Sequence, residues 1–113
     1  MKITMIALMT AVLLPLAARA EPDKKTERTW KAKCASCHGA DGKGATDQGA
    51  KMGIANYTDA GWQKSKTDDD LKKAITDGVN REKAGKHQEM DGFKEKLPPE
   101  QIDQLVAYVR TLK

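Results

Sequence analysis

The sequence predicts a small all-α domain of about three helices joined by long loops. Six of the nine glycines fall between residues 39 and 61, where they indicate turns instead of regular structure. No alternating apolar run is long enough to predict a strand. The clearest helical period is at the C-terminal end, where apolar residues recur at three- and four-residue steps in Ile102, Leu105, Val106, Val109 and Leu112.

The first two helices are predicted from the residues that begin and end them. Residues 23–35 contain no glycine, and Asp23 is a suitable N-terminal cap. The second helix begins at Thr67, with Asp70 three residues later to complete a capping box, and it ends at Gly78.

The third helix begins at Pro99, a residue type favoured in the first helical turn. Residues 79–96, which precede it, are expected to form a polar loop. Loops this long are unusual in a compact domain unless they wrap something.

The first twenty residues are expected to be a secretory signal peptide and not part of the mature fold. Lys2 provides a positive start, residues 3–16 are mostly apolar, and residues 18–20 read Ala-Arg-Ala. Cleavage after Ala20 would leave residues 21–113 as one domain in the periplasm. The alternative is a retained membrane anchor, which needs about 20 apolar residues, more than this stretch offers.

The charge of the mature chain argues against a nucleic-acid partner. Losing Lys2 and Arg19 from the 20 basic residues leaves 18 against 16 acidic ones, a formal charge of +2. These charges are interspersed, without the basic stripe that strand binding needs. Apolar residues make up only 39% of the chain. A domain this small therefore needs a further stabilising element.

That element is predicted by the run Cys34-Ala35-Ser36-Cys37-His38, the C-x-x-C-H pattern of c-type haem attachment. Two thiols at this spacing can bond one haem, and the adjacent imidazole is then held as a proximal iron ligand. Three alternatives are weaker. A disulfide would close too short a loop, a zinc site lacks further ligands, and a thioredoxin-like motif needs a βαβ unit.

The chain resembles the class I monohaem cytochromes c along its whole mature length. In that family a helix ends at C-x-x-C-H-G, as in CASCHGADGKG here, and a distal Met and an aromatic precede a closing helix. Met90, Phe93 and LPPEQIDQLVAYVRTL match this order. The resemblance implies a small all-α domain wrapped around one covalent haem c. It also implies that Trp30 and Tyr108 pack the first helix against the last.

Two features depart from the family pattern. Met90 is followed by Asp91 instead of Pro, and no Pro follows His38 where the acceptor for its imidazole usually lies. The partner of the His38 ring nitrogen is therefore left open.

The distal iron ligand has three candidates in the mature chain: Met90, Met52 and His87. A thioether is a soft ligand suited to haem iron. The residues around Met90 in the sequence are polar and show no helical or strand period. An apolar side chain at this position therefore needs a specific reason to point inward. Met90 is the preferred ligand, and an open iron is the remaining alternative. His87 is more simply read as a solvated loop residue.

With His38 and Met90 as axial ligands, the expected function is single-electron transfer, not catalysis, because iron has no free position for a small-molecule substrate. A haem enzyme or gas sensor, or a subunit of a larger oxidase or reductase, is the alternative. The expected partners are redox proteins, with membrane contact only through such a complex.

Several residues near the predicted site have more than one interpretation. Tyr57 and Trp62 either donate hydrogen bonds to the haem propionates or pack its wall. Lysines near Met90 could steer an acidic partner, but acidic residues are interleaved with them, which favours a mixed-charge surface. The lysines are Lys83, Lys86, Lys94 and Lys96, and the acids are Glu82, Glu89, Asp91 and Glu95.

Overall fold

The computed structural model describes residues 22–113, which form six helices and one β-hairpin. The predicted signal peptide at residues 1–20 lies outside the described residues. No helix within this part of the chain is long and apolar enough to cross a membrane. The helices are α1 Lys24–Lys33, α2 Ala35–His38, α3 Asp47–Met52, α4 Ala60–Ser65, α5 Asp68–Asp77 and α6 Pro99–Thr111, and the strands are β1 Gly78–Lys83 and β2 Lys86–Asp91.

The three predicted helices are present as α1, α5 and α6, and they supply the apolar core. Trp30 of α1 is 3% exposed, and Leu105 of α6 is 2% exposed. Leu71 joins them from α5. The Trp30 and Tyr108 rings lie 5.2 Å apart between centroids, which confirms the expected contact between the first and last helices.

A buried polar contact fixes the crossing of α1 and α6. Thr26 is fully buried, and its hydroxyl accepts a hydrogen bond of 3.1 Å from the Gln101 amide. The same hydroxyl donates to Asp23, whose carboxylate also caps α1 by accepting from the Thr26 backbone N–H. These partners satisfy the buried polar groups, so the N-terminal cap of α1 is tied directly to α6.

The glycine-rich region 39–61 is not entirely loop, as the sequence predicted, because it contains α3 and the start of α4. Thr46 caps α3 by accepting from the Gly49 N–H, and Gly53 ends it in a left-handed conformation with φ 63°. Asp59 caps α4 in the same way. Both helices span only six residues, too few to show an apolar period.

The predicted polar loop at residues 79–96 is also wrong, because most of it forms the antiparallel hairpin of β1 and β2. The fold is therefore mostly helical and not strictly all-α. The two-residue turn is Ala84-Gly85, with φ angles of 51° and 77°. Such turns usually contain Asn-Gly or Asp-Gly, and the two strands have only one apolar side chain each, Val79 and Met90, so neither signal of a hairpin is present in the sequence.

Candidate cofactor site

A cavity of about 980 Å³ lies between the helical core and the hairpin. Its lining brings together Cys34, Cys37 and His38 with Met90 of the hairpin. Met52 at the end of α3 also reaches the cavity. The volume is at the upper end of the range of about 300–1,000 Å³ for ligand sites, so the cavity is large enough for a macrocycle.

The two thiols sit on a single helical turn that continues from α1. Cys34 ends α1 by donating its N–H to the Trp30 carbonyl, and it also receives the His38 N–H at its own carbonyl. Both thiols are free and half-buried. Burial raises the pKa of the Cys34 thiol to about 11, so this group is protonated at neutral pH in the absence of a bond to carbon.

His38 is held among aromatic rings. Its imidazole stacks on the Tyr57 ring at 5.0 Å between centroids, and the Trp30 ring lies 5.7 Å away. Burial lowers the pKa of His38, which keeps the imidazole neutral and leaves a nitrogen lone pair for a metal. Its Nδ1 is buried and has no hydrogen-bond partner within residues 22–113.

The start of α3 packs directly against this cysteine turn. The Thr46 hydroxyl donates a 2.7 Å hydrogen bond to the Cys37 carbonyl while it accepts from the Gly49 N–H. A side chain at Gly49 would meet the Cys37 carbonyl oxygen at 2.8 Å. The absence of a side chain at this position therefore allows α3 to approach the cavity wall.

The hairpin carries two of the candidate distal residues, and only Met90 of the two lines the cavity. Met90 pairs with Val79, and both line the cavity. His87, three residues earlier in the same strand, projects from the other face. Its Nδ1 lies 2.6 Å from the Glu82 carboxylate, half of its side chain is exposed, and it does not line the cavity.

Comparison with known proteins identifies the family of the chain. The sequence model of the family described as cytochrome c matches residues 24–113. The chain belongs to the cytochrome c family. A solved structure named KustC0563 c-type cytochrome has 34% sequence identity and a TM-score of 0.66, and the match covers 78% of this chain and 96% of that one.

A second solved structure, of a point mutant of Kustc0563, also has 34% identity, with a TM-score of 0.64 and coverage of 78% and 98% of the two chains. No curated protein sequence matches the chain at a significant level. The family assignment of this cytochrome c therefore rests on the family model and the solved structures.

Membership of the family confirms the predicted cofactor as covalently bound haem c with its iron. The residues around the cavity fit this group. Two thiols at C-x-x-C spacing, a neutral imidazole and thioether sulfur are the donor types that c-type haem uses. Apolar side chains complete the wall, among them Leu71, Phe93, Leu105 and Val109.

The other predicted residues are divided between the cavity and the surface. Tyr57 and Trp62 line the cavity and stack on each other at 4.2 Å between centroids. Burial is the main cause that raises the pKa of Tyr57 to about 12. Of the four lysines near Met90, Lys86 donates to the Ala50 carbonyl, and the Lys96 ammonium lies 5.6 Å from the centre of the Phe93 ring.

Sequence reasoning missed Gln88 and Arg81, which line the same cavity from the hairpin. Gln88 is 9% exposed and accepts a 2.9 Å hydrogen bond from Arg81 Nε. Gln88 lies two residues before Met90, the spacing that places two side chains on one face of a strand. Recognising the strand would have identified both residues.

Proposed function

We propose that this cytochrome c is a single-electron carrier in which His38 supplies the proximal iron ligand and Met90 the distal one. The observation that carries the proposal is the cavity lining, which includes Met90 together with the C-x-x-C-H turn but does not include His87. Cys34 and Cys37 would hold the haem as thioethers. When bound, haem c accepts or donates one electron as its iron changes between the ferrous and ferric states.

The protein's own residues suit this role by controlling the surroundings of the cofactor. Burial keeps His38 neutral, as a nitrogen ligand must be. Leu71, Phe93 and Leu105 exclude water from the cavity, and thioether ligation raises the reduction potential. With both axial positions filled by side chains, no site remains for a substrate at iron, which favours a carrier over an enzyme.

The charged residues of the cavity lining support a redox protein as partner. Within residues 22–113 the lining includes six basic and three acidic side chains. This excess favours a partner with an acidic surface beside its own cofactor, and it modifies the mixed-charge interpretation of the sequence. The basic residues are Lys33, Lys66, Lys73, Arg81, Lys83 and Lys96, and the acidic ones are Asp70, Glu89 and Asp91.

Two further elements complete the proposal. Residues 1–20 direct export to the periplasm and are then removed. The periplasm is the compartment where c-type haem attachment and folding are completed. Tyr57 is protonated at neutral pH, as an ordinary tyrosine is, and burial raises its pKa further, to about 12. Tyr57 therefore remains a hydrogen-bond donor for a haem propionate, and the Trp62 indole N–H is a second donor on the same wall.

Carbon monoxide binding and reduction potential test the axial ligands together. The ferrous parent is expected to exclude carbon monoxide, whereas Met90→Ala binds it and has a lower potential. Each 59 mV lost is tenfold in the equilibrium constant, about 1.4 kcal/mol, and a loss of several such steps is expected. Met52→Ala and His87→Ala are the matched controls and should behave like the parent. If either control variant binds carbon monoxide while Met90→Ala does not, the distal ligand is assigned to the wrong residue.

A further inference from the structure

We infer that Gln88 is a positioning residue that holds Met90 on the iron by docking the hairpin onto α3. The inference rests on the proposed function, because it presupposes that Met90 is the distal ligand. It concerns a different interaction, however. Gln88 acts between two protein segments and sets how firmly the sulfur is held.

The base of the hairpin is fixed to α5 by close backbone contacts. A side chain at Gly78 would meet the Gly92 nitrogen at 2.7 Å, and one at Gly92 would meet the Asp77 carbonyl carbon at 2.7 Å. Beyond Met90, the Phe93 N–H donates a 2.8 Å hydrogen bond to the Ile75 carbonyl. These contacts hold one end of the hairpin, on the C-terminal side of Met90.

The middle of the hairpin is held by side chains that reach the C-terminal end of α3. The Gln88 amide nitrogen donates to the carbonyl oxygens of Met52 and Gly53, at 3.0 and 3.1 Å. Carbonyl groups at a helix C-terminus have no partner within the helix, so the Gln88 amide satisfies groups that need a donor. Arg81 orients the amide by donating to its oxygen.

Gln88 is the one buried residue of β1 and β2, and it is polar. An isolated two-stranded hairpin is marginally stable in water, so this one depends on its attachments. Lys86 adds a second contact, from its ammonium to the Ala50 carbonyl at 2.8 Å, but this contact is exposed. Gln88 is therefore the principal attachment on the N-terminal side of Met90, two residues or about 7 Å along the strand.

Without Gln88, β2 would be held near Met90 only by the base and by the exposed Lys86 contact, and the sulfur would leave the iron more often. Each of the two hydrogen bonds to α3 changes an equilibrium by about two- to tenfold. Cyanide measures this opening, because in a ferric cytochrome with both axial positions filled it binds only after the distal ligand leaves. We therefore expect faster cyanide binding when Gln88 is replaced, without loss of the native sulfur-to-iron absorption.

The experiment compares cyanide-binding rates of four ferric holoproteins: the parent, Gln88→Leu, Met90→Ala and the double variant. Gln88→Leu should bind cyanide at least tenfold faster than the parent, equivalent to about 1.4 kcal/mol. Met90→Ala and the double variant should bind it at equal rates, since neither has a sulfur to release. His87→Ala, on the other face of the same strand, is the control and should match the parent. Gln88→Glu keeps the length and the Arg81 partner but places a carboxylate against two carbonyl oxygens, so it should accelerate binding even if Gln88→Leu does not accumulate.

An acceleration no greater than that of His87→Ala in both Gln88 variants would overturn the inference. Equal acceleration by Gln88→Leu in the parent and in the Met90→Ala background would also overturn it, because Gln88 would then act on access and not on the sulfur. A parent that already binds cyanide as fast as Met90→Ala would instead refute the ligand assignment in the proposed function. The two failures are therefore distinguishable.

Discussion

The helical core and the hairpin contribute to the same cavity but are held in place by different forces. The core centres on Trp30 and the apolar face of α6, where burial of large side chains supplies the stabilising free energy. The hairpin is mostly polar, with Val79 and Met90 as the apolar side chains of its strands, and Gln88 is the single buried residue of these strands. The half that carries the cysteines and His38 is therefore fixed by packing, while the half that carries Met90 is fixed by a few hydrogen bonds.

This difference implies that ligation on the two sides of the cofactor has different thermodynamic consequences. A change at His38 acts on a residue that contacts the core through Trp30. A change at Met90 acts on the hairpin, none of whose described residues belongs to the apolar core cluster. Distal ligation and global stability should therefore be separable by mutation, whereas proximal attachment and global stability should not.

The largest expected effect comes from removing haem attachment. Cys37→Ser or His38→Ala should prevent accumulation of folded protein, because a domain with this little apolar content depends on its cofactor for a core. For the parent, intact mass should give a chain beginning at Glu21 plus one haem that acidic organic solvent does not extract. If Cys37→Ser or His38→Ala unfolds cooperatively without haem, the helical core does not depend on the cofactor, and its distinction from the hairpin is lost.

Deleting the aromatic anchor of the core should have the next largest effect. Trp30→Ala is expected to lower the free energy of unfolding of the holoprotein by about 3–5 kcal/mol, the usual cost of removing a large buried aromatic. Trp30 also donates a 3.0 Å hydrogen bond from its indole nitrogen to the Gly39 carbonyl. Denaturant titration measures the loss, with His87→Ala as an exposed control. A loss below about 1 kcal/mol would contradict the role of Trp30.

Substitutions at the two turn residues of the hairpin should change the free energy of unfolding less than Trp30→Ala does, and in opposite directions. Ala84 has φ 51°, a conformation costing a residue with a side chain about 1–2 kcal/mol. Ala84→Gly removes this strain but adds about 0.5–1 kcal/mol of chain entropy, so a net stabilisation of about 0–1.5 kcal/mol is expected. Gly85→Ala, at φ 77°, should destabilise instead. Thermal unfolding of both holoproteins measures the pair, and the same sign for both changes would exclude this turn geometry.

The effect expected to be smallest at neutral pH is a pH dependence of the cavity wall, which emerges only above about pH 10. Burial raises the pKa of Tyr57 to about 12 and also raises the pKa of Tyr108. The folded chain therefore binds more protons than the unfolded chain above the ordinary tyrosine pKa of about 10, and stability falls as the pH rises from about 10 to 12. Near-ultraviolet titration should show little tyrosinate in the native protein at pH 10 and substantial ionisation after denaturation. Equal tyrosine ionisation in the native and denatured proteins would mean that the two phenols are exposed to solvent in the native fold.

The sequence predicted the parts of the molecule whose signals are local or periodic. Asp23, Thr67 and Pro99 marked the starts of α1, α5 and α6, because caps and prolines act within one turn. The C-x-x-C-H run predicted haem c because its chemistry needs no distant residue. The contact of Trp30 with Tyr108 came from family resemblance, and no local rule would have predicted it.

The parts that were missed depend on interactions between segments. Gln88 is buried because α3 offers it two carbonyl groups, and nothing near it in the sequence indicates α3. Ala84 occupies a turn position that glycine or asparagine usually marks, so the hairpin was predicted as a loop. In the sequence, the polarity of its neighbours favours Met90, whereas the structural support for it is its place in the cavity lining beside Val79.

We expect the sulfur of Met90, and no other methionine sulfur, to be the distal iron ligand of this electron carrier. The predicted mature chain has only two methionines, Met52 and Met90. Nuclear magnetic resonance of the ferrous holoprotein with labelled methionine methyl groups should therefore show two signals, one shifted far upfield by the haem ring. We expect the shifted signal to vanish in Met90→Leu and to persist in Met52→Leu. Loss of that signal in Met52→Leu, or the absence of any shifted methyl in the parent, would contradict the assignment of Met90 as the distal ligand.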